Sequence, residues 1–154
     1  MDVQAALQVL NKALALEYAG VLQYLQQSFL VQGPYREVHA DFFRKLSDEC
    51  RTHAARLGTY IVLLNGVPTV EPAPIRQSTD LTEMLKNSLE LEREAYNTYL
   101  EGVRVAADEV PLRLLCEELA YDERLHMEAF EKMLAQKALR LADAEREIVL
   151  TRSA

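Results

Sequence analysis

Glu123 and His126 stand three residues apart in the run Asp122-Glu123-Arg124-Leu125-His126. On an α-helix, residues three apart share a face. Leu112, Leu115, Leu119, Phe130 and Met133 recur around them at helical steps, so that face is the apolar stripe of an amphipathic helix. A carboxylate and an imidazole in such a stripe carry a desolvation cost unless they find partners. A hydrogen-bonded polar pair at a helix interface would satisfy them. A metal ion would accept both at once.

Three further helical segments place acids, an imidazole or a thiol in the same kind of stripe. In the first, Leu7, Leu10, Leu14, Glu17, Val21, Tyr24, Ser28 and Val31 alternate at three and four. Glu17 stands where Leu would be expected, as a carboxylate bonded to a neighbouring tyrosine or arginine or as a metal ligand. Tyr24, two turns on, is then a hydrogen-bonding or redox group beside it. In the second, Phe43, Leu46, Cys50, His53, Leu57, Tyr60 and Leu64 form the stripe, with Glu49 flanking it one turn before His53. His39 is expected at the surface or the end of a bundle. In the third, Glu92 fits among Leu81, Leu85, Leu89, Tyr96, Tyr99 and Val103, whereas Glu90 and Glu94 fall on a solvated face with Glu83, Asn97 and Glu101.

These groups need a scaffold, and the composition indicates which. The 154 residues are 49% apolar and 27% charged, with only five Gly and five Pro. Abundant Leu, Ala and Glu point to one soluble all-α domain spanning residues 1–154. A net charge of −7 without a Lys/Arg cluster argues against nucleic acid. Two cysteines, Cys50 and Cys116, make no disulfide framework. No secretory signal and no membrane-length apolar run are visible, so a cytoplasmic location is expected. No phosphate-cradling glycine loop, nucleophile elbow or zinc-type cysteine pair is found.

Asp2 is a plausible N-cap for a first helix reaching about Gln32, interrupted only by Gly20. Gly33-Pro34 ends it, and a short turn returns the second helix antiparallel from about Tyr35 to Leu64. The stretch 66–79 contains three prolines and is the one long non-helical segment. Extended, it reaches about 46 Å, against about 45 Å for a helix of about 30 residues. It can therefore run the length of a bundle and start the third helix at the far end, giving a four-helix bundle with one long crossover between the second and third helices. Thr79 or Asp80 can cap the third helix, with Glu83 placed for a capping box. Asp108-Glu109 makes the next turn, Pro111 suits the first turn of the fourth helix, and residues 138–154 continue that helix or form a short extra one.

The two halves repeat. Each hairpin offers a stripe glutamate on its first helix, Glu17 or Glu92. Its second helix offers a stripe histidine preceded three residues earlier by Cys50 or Glu123. In that alignment Glu49 matches Asp122. Carboxylates can neutralise and bridge two divalent cations, and one imidazole per ion favours iron, manganese or zinc over magnesium or calcium.

In these marks, Leu-Glu17-Tyr-Ala with Tyr24 following, Glu123-x-x-His126, and Leu-Glu92-Arg-Glu-Ala, the chain resembles the ferritin-like superfamily, and within it bacterioferritin and rubrerythrin-type bundles. The resemblance covers about Asp2 to Leu134. It implies a di-iron centre that oxidises Fe(II) with O2 or peroxide. Glu17 and His53 would serve one metal, Glu92 and His126 the other, and Glu123 would bridge. One departure stands out: Cys50 occupies the place of a second bridging glutamate. A thiolate ligand there would favour zinc or a softer metal, a helix bulge would swing Glu49 inward, and a weakened site would hold one metal or none. Arg51 stands where bacterioferritin has its haem-ligating methionine, which argues against haem. No rubredoxin-type cysteine cluster is present.

The expected function is therefore iron or peroxide handling, as a ferroxidase- or peroxidase-type oxidoreductase binding one or two iron ions per chain. Two alternatives stay open: a degenerate bundle serving oligomerisation or partner binding, and another di-metal oxidase or hydroxylase, a manganese enzyme included. Tyr18, Phe29, Phe42 and Tyr121 lie off the main stripes and hint at packing between subunits of a homo-oligomer, a dimer or larger.

Overall fold

The computed structural model describes the backbone of residues 1–152 and the side chains of residues 1–136. The chain forms four helices in order: α1 (Val3–Leu30), α2 (Arg36–Leu63), α3 (Leu81–Ala106) and α4 (Val110–Arg152). No strand occurs among the described residues. Residues 138–152 continue α4 in backbone; the side chains of that tail lie outside the described residues.

Local chemistry sets the helix ends. The Asp2 carboxylate accepts the backbone N–H groups of Gln4 and Ala5, satisfying two donors that α1 leaves unpaired. Asp80, rather than Thr79, caps α3 by accepting the Glu83 N–H. Gly33 turns the chain between α1 and α2 at φ 108°, a backbone region that side chains with a Cβ avoid.

The crossover, residues 64–80, lies along α1 and is pinned to it rung by rung. Thr69 N–H donates to Asn11 Oδ1, Ala73 N–H to the Ala15 carbonyl, and Arg76 N–H to Gln23 Oε1. The partners on α1 advance from residue 11 to 23, so the crossover travels parallel to α1. It delivers α3 to the opposite end from where α2 stopped. There Gln27 Nε2 donates to the Met84 carbonyl, and Ser88 Oγ donates to Gln27 Oε1. Relative to α1, helices α2 and α3 both run antiparallel, and α4 runs parallel. This is the one-crossover four-helix bundle that the prolines and linker length predict.

Within each hairpin, α1 packs on α2 and α3 packs on α4, and α1 also packs on α3. The α2 and α4 backbones stand further apart and meet through long side chains: Phe42 packs edge-on to Phe130, and Arg56 pairs with Glu118. Phe42 thus serves its own fold rather than an exposed face, whereas Phe29 and Tyr121 are exposed. The core is closed at one end of the buried acids by a stack in which Tyr24 lies between Phe43 and Phe130. Such a dry, close-packed wall raises the cost of leaving any buried charge unpaired.

Candidate metal centre

Five of the residues singled out by phase meet at mid-bundle. Glu17 of α1, Glu92 of α3 and Glu123 of α4 are each only 2% exposed, and His53 of α2 is 5% exposed. His126 of α4 is half-buried. Two groups of potential ligand atoms form, Glu17–His53–Glu123 and Glu92–Glu123–His126, and Glu123 belongs to both.

The geometry has an approximate twofold repeat. His53 Nδ1 faces Glu123 Oε1 at 3.2 Å and Glu17 Oε1 at 3.5 Å. His126 Nδ1 faces Glu123 Oε2 at 3.0 Å and Glu92 Oε2 at 3.2 Å. The outer nitrogens also match: His53 Nε2 faces Asp122 at 3.4 Å, and His126 Nε2 faces Glu49 at 2.7 Å. An outer carboxylate that accepts the Nε2–H leaves Nδ1 as the inward donor atom, the tautomer a metal ligand requires. Glu49 therefore occupies an outer position. Helix α2 runs unbroken as an α-helix through residues 49–53, with no bulge to swing it inward.

The tyrosines repeat as well. Tyr24 O–H donates to Glu92, and Tyr99 O–H donates to Glu17. Each spans from its own helix to the acid of the other, because α1 and α3 are antiparallel and each tyrosine lies seven residues after the acid of its own helix. Tyr99 is a site contact that reading by apolar stripe places in the core. The matching spacing of Glu17 to Tyr24 and Glu92 to Tyr99 is the signal that singles it out.

Cys50 is 5% exposed and lies against Gly20. A Cβ built on Gly20 would come within 2.6 Å of the Cys50 sulfur. The glycine in mid-helix thus has a packing reason. With its sulfur turned to α1, Cys50 joins neither three-residue group of ligand atoms. A small void of about 10 Å³ borders Cys50, Glu17, Glu92 and Glu123, room for one water-sized ligand at most.

Electrostatics follow from crowding. No Lys or Arg pairs with Glu17, Glu92 or Glu123 among the described residues. Burial, then the charges of Glu92 and Glu17, push the Glu123 carboxyl well up. Burial also raises Glu92, but hydrogen bonds from Glu123, His126 and Tyr24 outweigh it and bring Glu92 down. Burial alone would lower the histidines. The carboxylates facing them win, raising His53 to about 10 and His126 to about 11. Burial pushes both tyrosines and the Cys50 thiol up, so all three stay protonated donors. Without metal, protons hold these acids together. Three carboxylates and two inward imidazoles at this spacing are a donor set that divalent transition metals fit.

Between α2 and α4 a groove of about 490 Å³ opens onto the outer side of both histidines. It is lined by Phe42, Glu49, His53, Asp122 and His126 among others. It joins solvent to the outer side of the centre between α2 and α4. Arg51 is exposed on α2, pointing away from the centre.

No curated protein sequence matches the chain. Among solved structures, a ferritin-like diiron-carboxylate protein of Bacillus anthracis superposes with a TM-score of 0.84 at 32% identity, over 87% of this chain and 98% of its own. A bacterioferritin-related dodecameric thioferritin of Bacteroides fragilis gives a TM-score of 0.85 at 22% identity, over 94% and 92% of the two chains. At that identity the likeness speaks to fold alone. Rhodobacter capsulatus bacterioferritin, solved with a metal-free dinuclear site and haem iron, gives 0.78 at 25% identity, over 85% and 84%. The ferritin-like domain family itself matches residues 7–139. The chain belongs to the ferritin-like family.

Proposed function

We propose that the protein binds iron at the mid-bundle cluster and oxidises Fe(II) with O2 or peroxide. The observation that carries this reading is the placement of Glu123. Its two oxygens face the inward nitrogens of both histidines, with Glu17 and Glu92 closing the two sides. Glu17 and His53 would hold one ion, Glu92 and His126 the other, and Glu123 would bridge. When bound, iron supplies one-electron transfer to the oxidant. The chain supplies the rest. Glu49 and Asp122 hold the histidine tautomers. Tyr24 and Tyr99 fix the rotamers of Glu92 and Glu17 and keep a proton beside each acid. The Tyr24–Phe43–Phe130 stack keeps water from that end of the bundle.

The α2–α4 groove is the route by which substrate ions and oxidant reach the histidines. Its acids, Glu49 and Asp122, face the outer histidine nitrogens, with Lys45 paired to Glu49 and Arg56 on the same lining. No helix among the described residues is long and apolar enough to cross a membrane. We also propose that copies of the chain associate. Leu22, Leu25 and Phe29 form an exposed apolar strip on α1, flanked by Ile75 of the crossover.

The test is anaerobic loading with Fe(II), followed by exposure to O2 or peroxide while absorbance in the near ultraviolet is recorded. Oxidation faster than in buffer, lost in Glu123→Ala, supports the reading. Tight metal binding without oxidation would leave a metal-binding bundle and remove the catalytic assignment.

A further inference from the structure

The twofold repeat of the centre is broken at one place, and the break has a consequence for loading. Three donors of the two halves match: Glu17 with Glu92, His53 with His126, Tyr99 with Tyr24. The fourth pair does not. Glu123 faces both histidines, whereas its counterpart Cys50 packs its sulfur against Gly20, meets Glu17 through a protonated thiol, and joins neither ligand group.

Charge counting then separates the first ion from the second. A first divalent ion placed between Glu92, Glu123 and His126 meets two carboxylates, which match its charge. A second ion then adds only one unshared carboxylate, Glu17, against two further positive charges, and it sits beside the first ion. A carboxylate at position 50 would have balanced it.

Geometry decides which half loads first. Glu123 and His126 come from adjacent turns of one helix, so two donors of that half are placed before any ion arrives. The donors of the other half come from three different helices. Every matched contact is shorter on the His126 side: 3.0 Å against 3.2 Å to Glu123, 3.2 Å against 3.5 Å to the terminal glutamate, and 2.7 Å against 3.4 Å to the outer carboxylate. His126 is also the more open of the two, with its side chain 14% exposed against 7% for His53.

We infer that the two metal positions are unequal: Glu92–Glu123–His126 is a resident site that fills first, and Glu17–His53 is a weaker site, completed by the shared Glu123, that exchanges its ion as substrate. The inference rests on the proposed metal-centre reading and assigns its two halves different roles.

Cobalt(II) tests this without reference to turnover. The metal-free full chain is titrated with Co(II), with d–d absorbance and heat followed together. The wild type should show two events, the second weaker by about tenfold or more, since charge count and rigidity tune metal affinity over decades. Glu17→Gln should remove only the weaker event, and Glu92→Gln should remove the tighter one. Far-UV circular dichroism checks that each variant is folded. Cys50→Asp supplies a fourth carboxylate in nearly the same volume and should draw the second affinity toward the first. Two equal events in the wild type would overturn the inference but keep the metal centre. So would loss of the tight event in Glu17→Gln, or an unchanged gap in Cys50→Asp. No retained cobalt in the wild type would overturn the metal-centre reading itself.

Discussion

The carboxylate of Glu123 faces both histidines at once, with Oε1 3.2 Å from His53 Nδ1 and Oε2 3.0 Å from His126 Nδ1. These three residues come from α2 and from two adjacent turns of α4, and they meet where α1 and α3 contribute the remaining acids. These contacts are made through protons: the imidazoles are raised to about 10 and about 11, and burial beside Glu92 and Glu17 pushes the Glu123 carboxyl up toward its protonated form. A metal must displace those protons, so the contacts that hold these side chains together set the conditions for binding it.

The first prediction follows from that competition. Loading requires the His53 and His126 imidazoliums, raised to about 10 and about 11, and the Glu123 carboxyl to lose their protons. Binding should release at least the two histidine protons per fully loaded chain, and apparent affinity should keep rising with pH toward about 10 to 11. Calorimetry in buffers of different ionisation enthalpy measures the release; a pH-independent affinity would contradict the proton-held centre. The metal-free fold should respond in the opposite sense. Because the two histidine values are raised on folding, their stabilisation is complete below the unfolded value of about 6.5 and is lost as pH rises through about 10 to 11. The melting temperature of the metal-free protein should therefore drop in that alkaline range.

The outer carboxylates give a second prediction. Glu49→Gln and Asp122→Asn leave every inward donor in place but change what the Nε2–H meets. Each should weaken metal binding by about 10- to 100-fold with the fold intact. The effect should be larger for Glu49, whose contact is 2.7 Å, than for Asp122 at 3.4 Å. If Glu49→Gln instead abolished binding as fully as removal of an inward histidine, Glu49 would have to be counted as a ligand.

Gly20 carries the third. Replacing a mid-helix glycine by alanine ordinarily gains about 1 kcal/mol. Here the new methyl would meet the Cys50 sulfur at 2.6 Å, and overpacking of this kind costs about 1–3 kcal/mol. Gly20→Ala should therefore be destabilising in chemical denaturation. The double variant Gly20→Ala/Cys50→Ala should recover most of the loss, and the non-additivity is the readout. Simple stabilisation by Gly20→Ala would show that the sulfur does not need the glycine.

Much of this centre is legible in the chain because helical phase is a strong signal. Glu17, His53, Glu92, Glu123 and His126 each stand where an apolar residue should be, and three prolines in an extended linker lead to the one-crossover winding. What phase does not reveal is depth or rotamer. By phase alone Tyr99 reads as one more aromatic of the α3 stripe; its seven-residue spacing from Glu92, matching Glu17 to Tyr24, and its hydrogen bond to Glu17 separate it from a core side chain. The α3 stripe itself sits about one residue off the simple reading. Met84, Ser88 and Leu91 are buried, whereas Leu89 and Tyr96 are half-buried, because α3 is covered by both α1 and α4. Glu49 and Cys50 are adjacent in sequence, and either can be drawn inward on a helical wheel. An unbroken α2 and the contact with His126 place Glu49 outside, and the clearance at Gly20 turns Cys50 toward α1.

Metal content compared between the wild type and Glu123→Ala tests the centre most directly. Both proteins are prepared from iron-supplemented cultures, and metal is measured per chain alongside circular dichroism. The account predicts between about one and two equivalents in the wild type, the shared carboxylate being a ligand of both positions, and a sharp loss in a variant that stays helical. Less than about half an equivalent in the wild type, or an unchanged ratio in the variant, would contradict it.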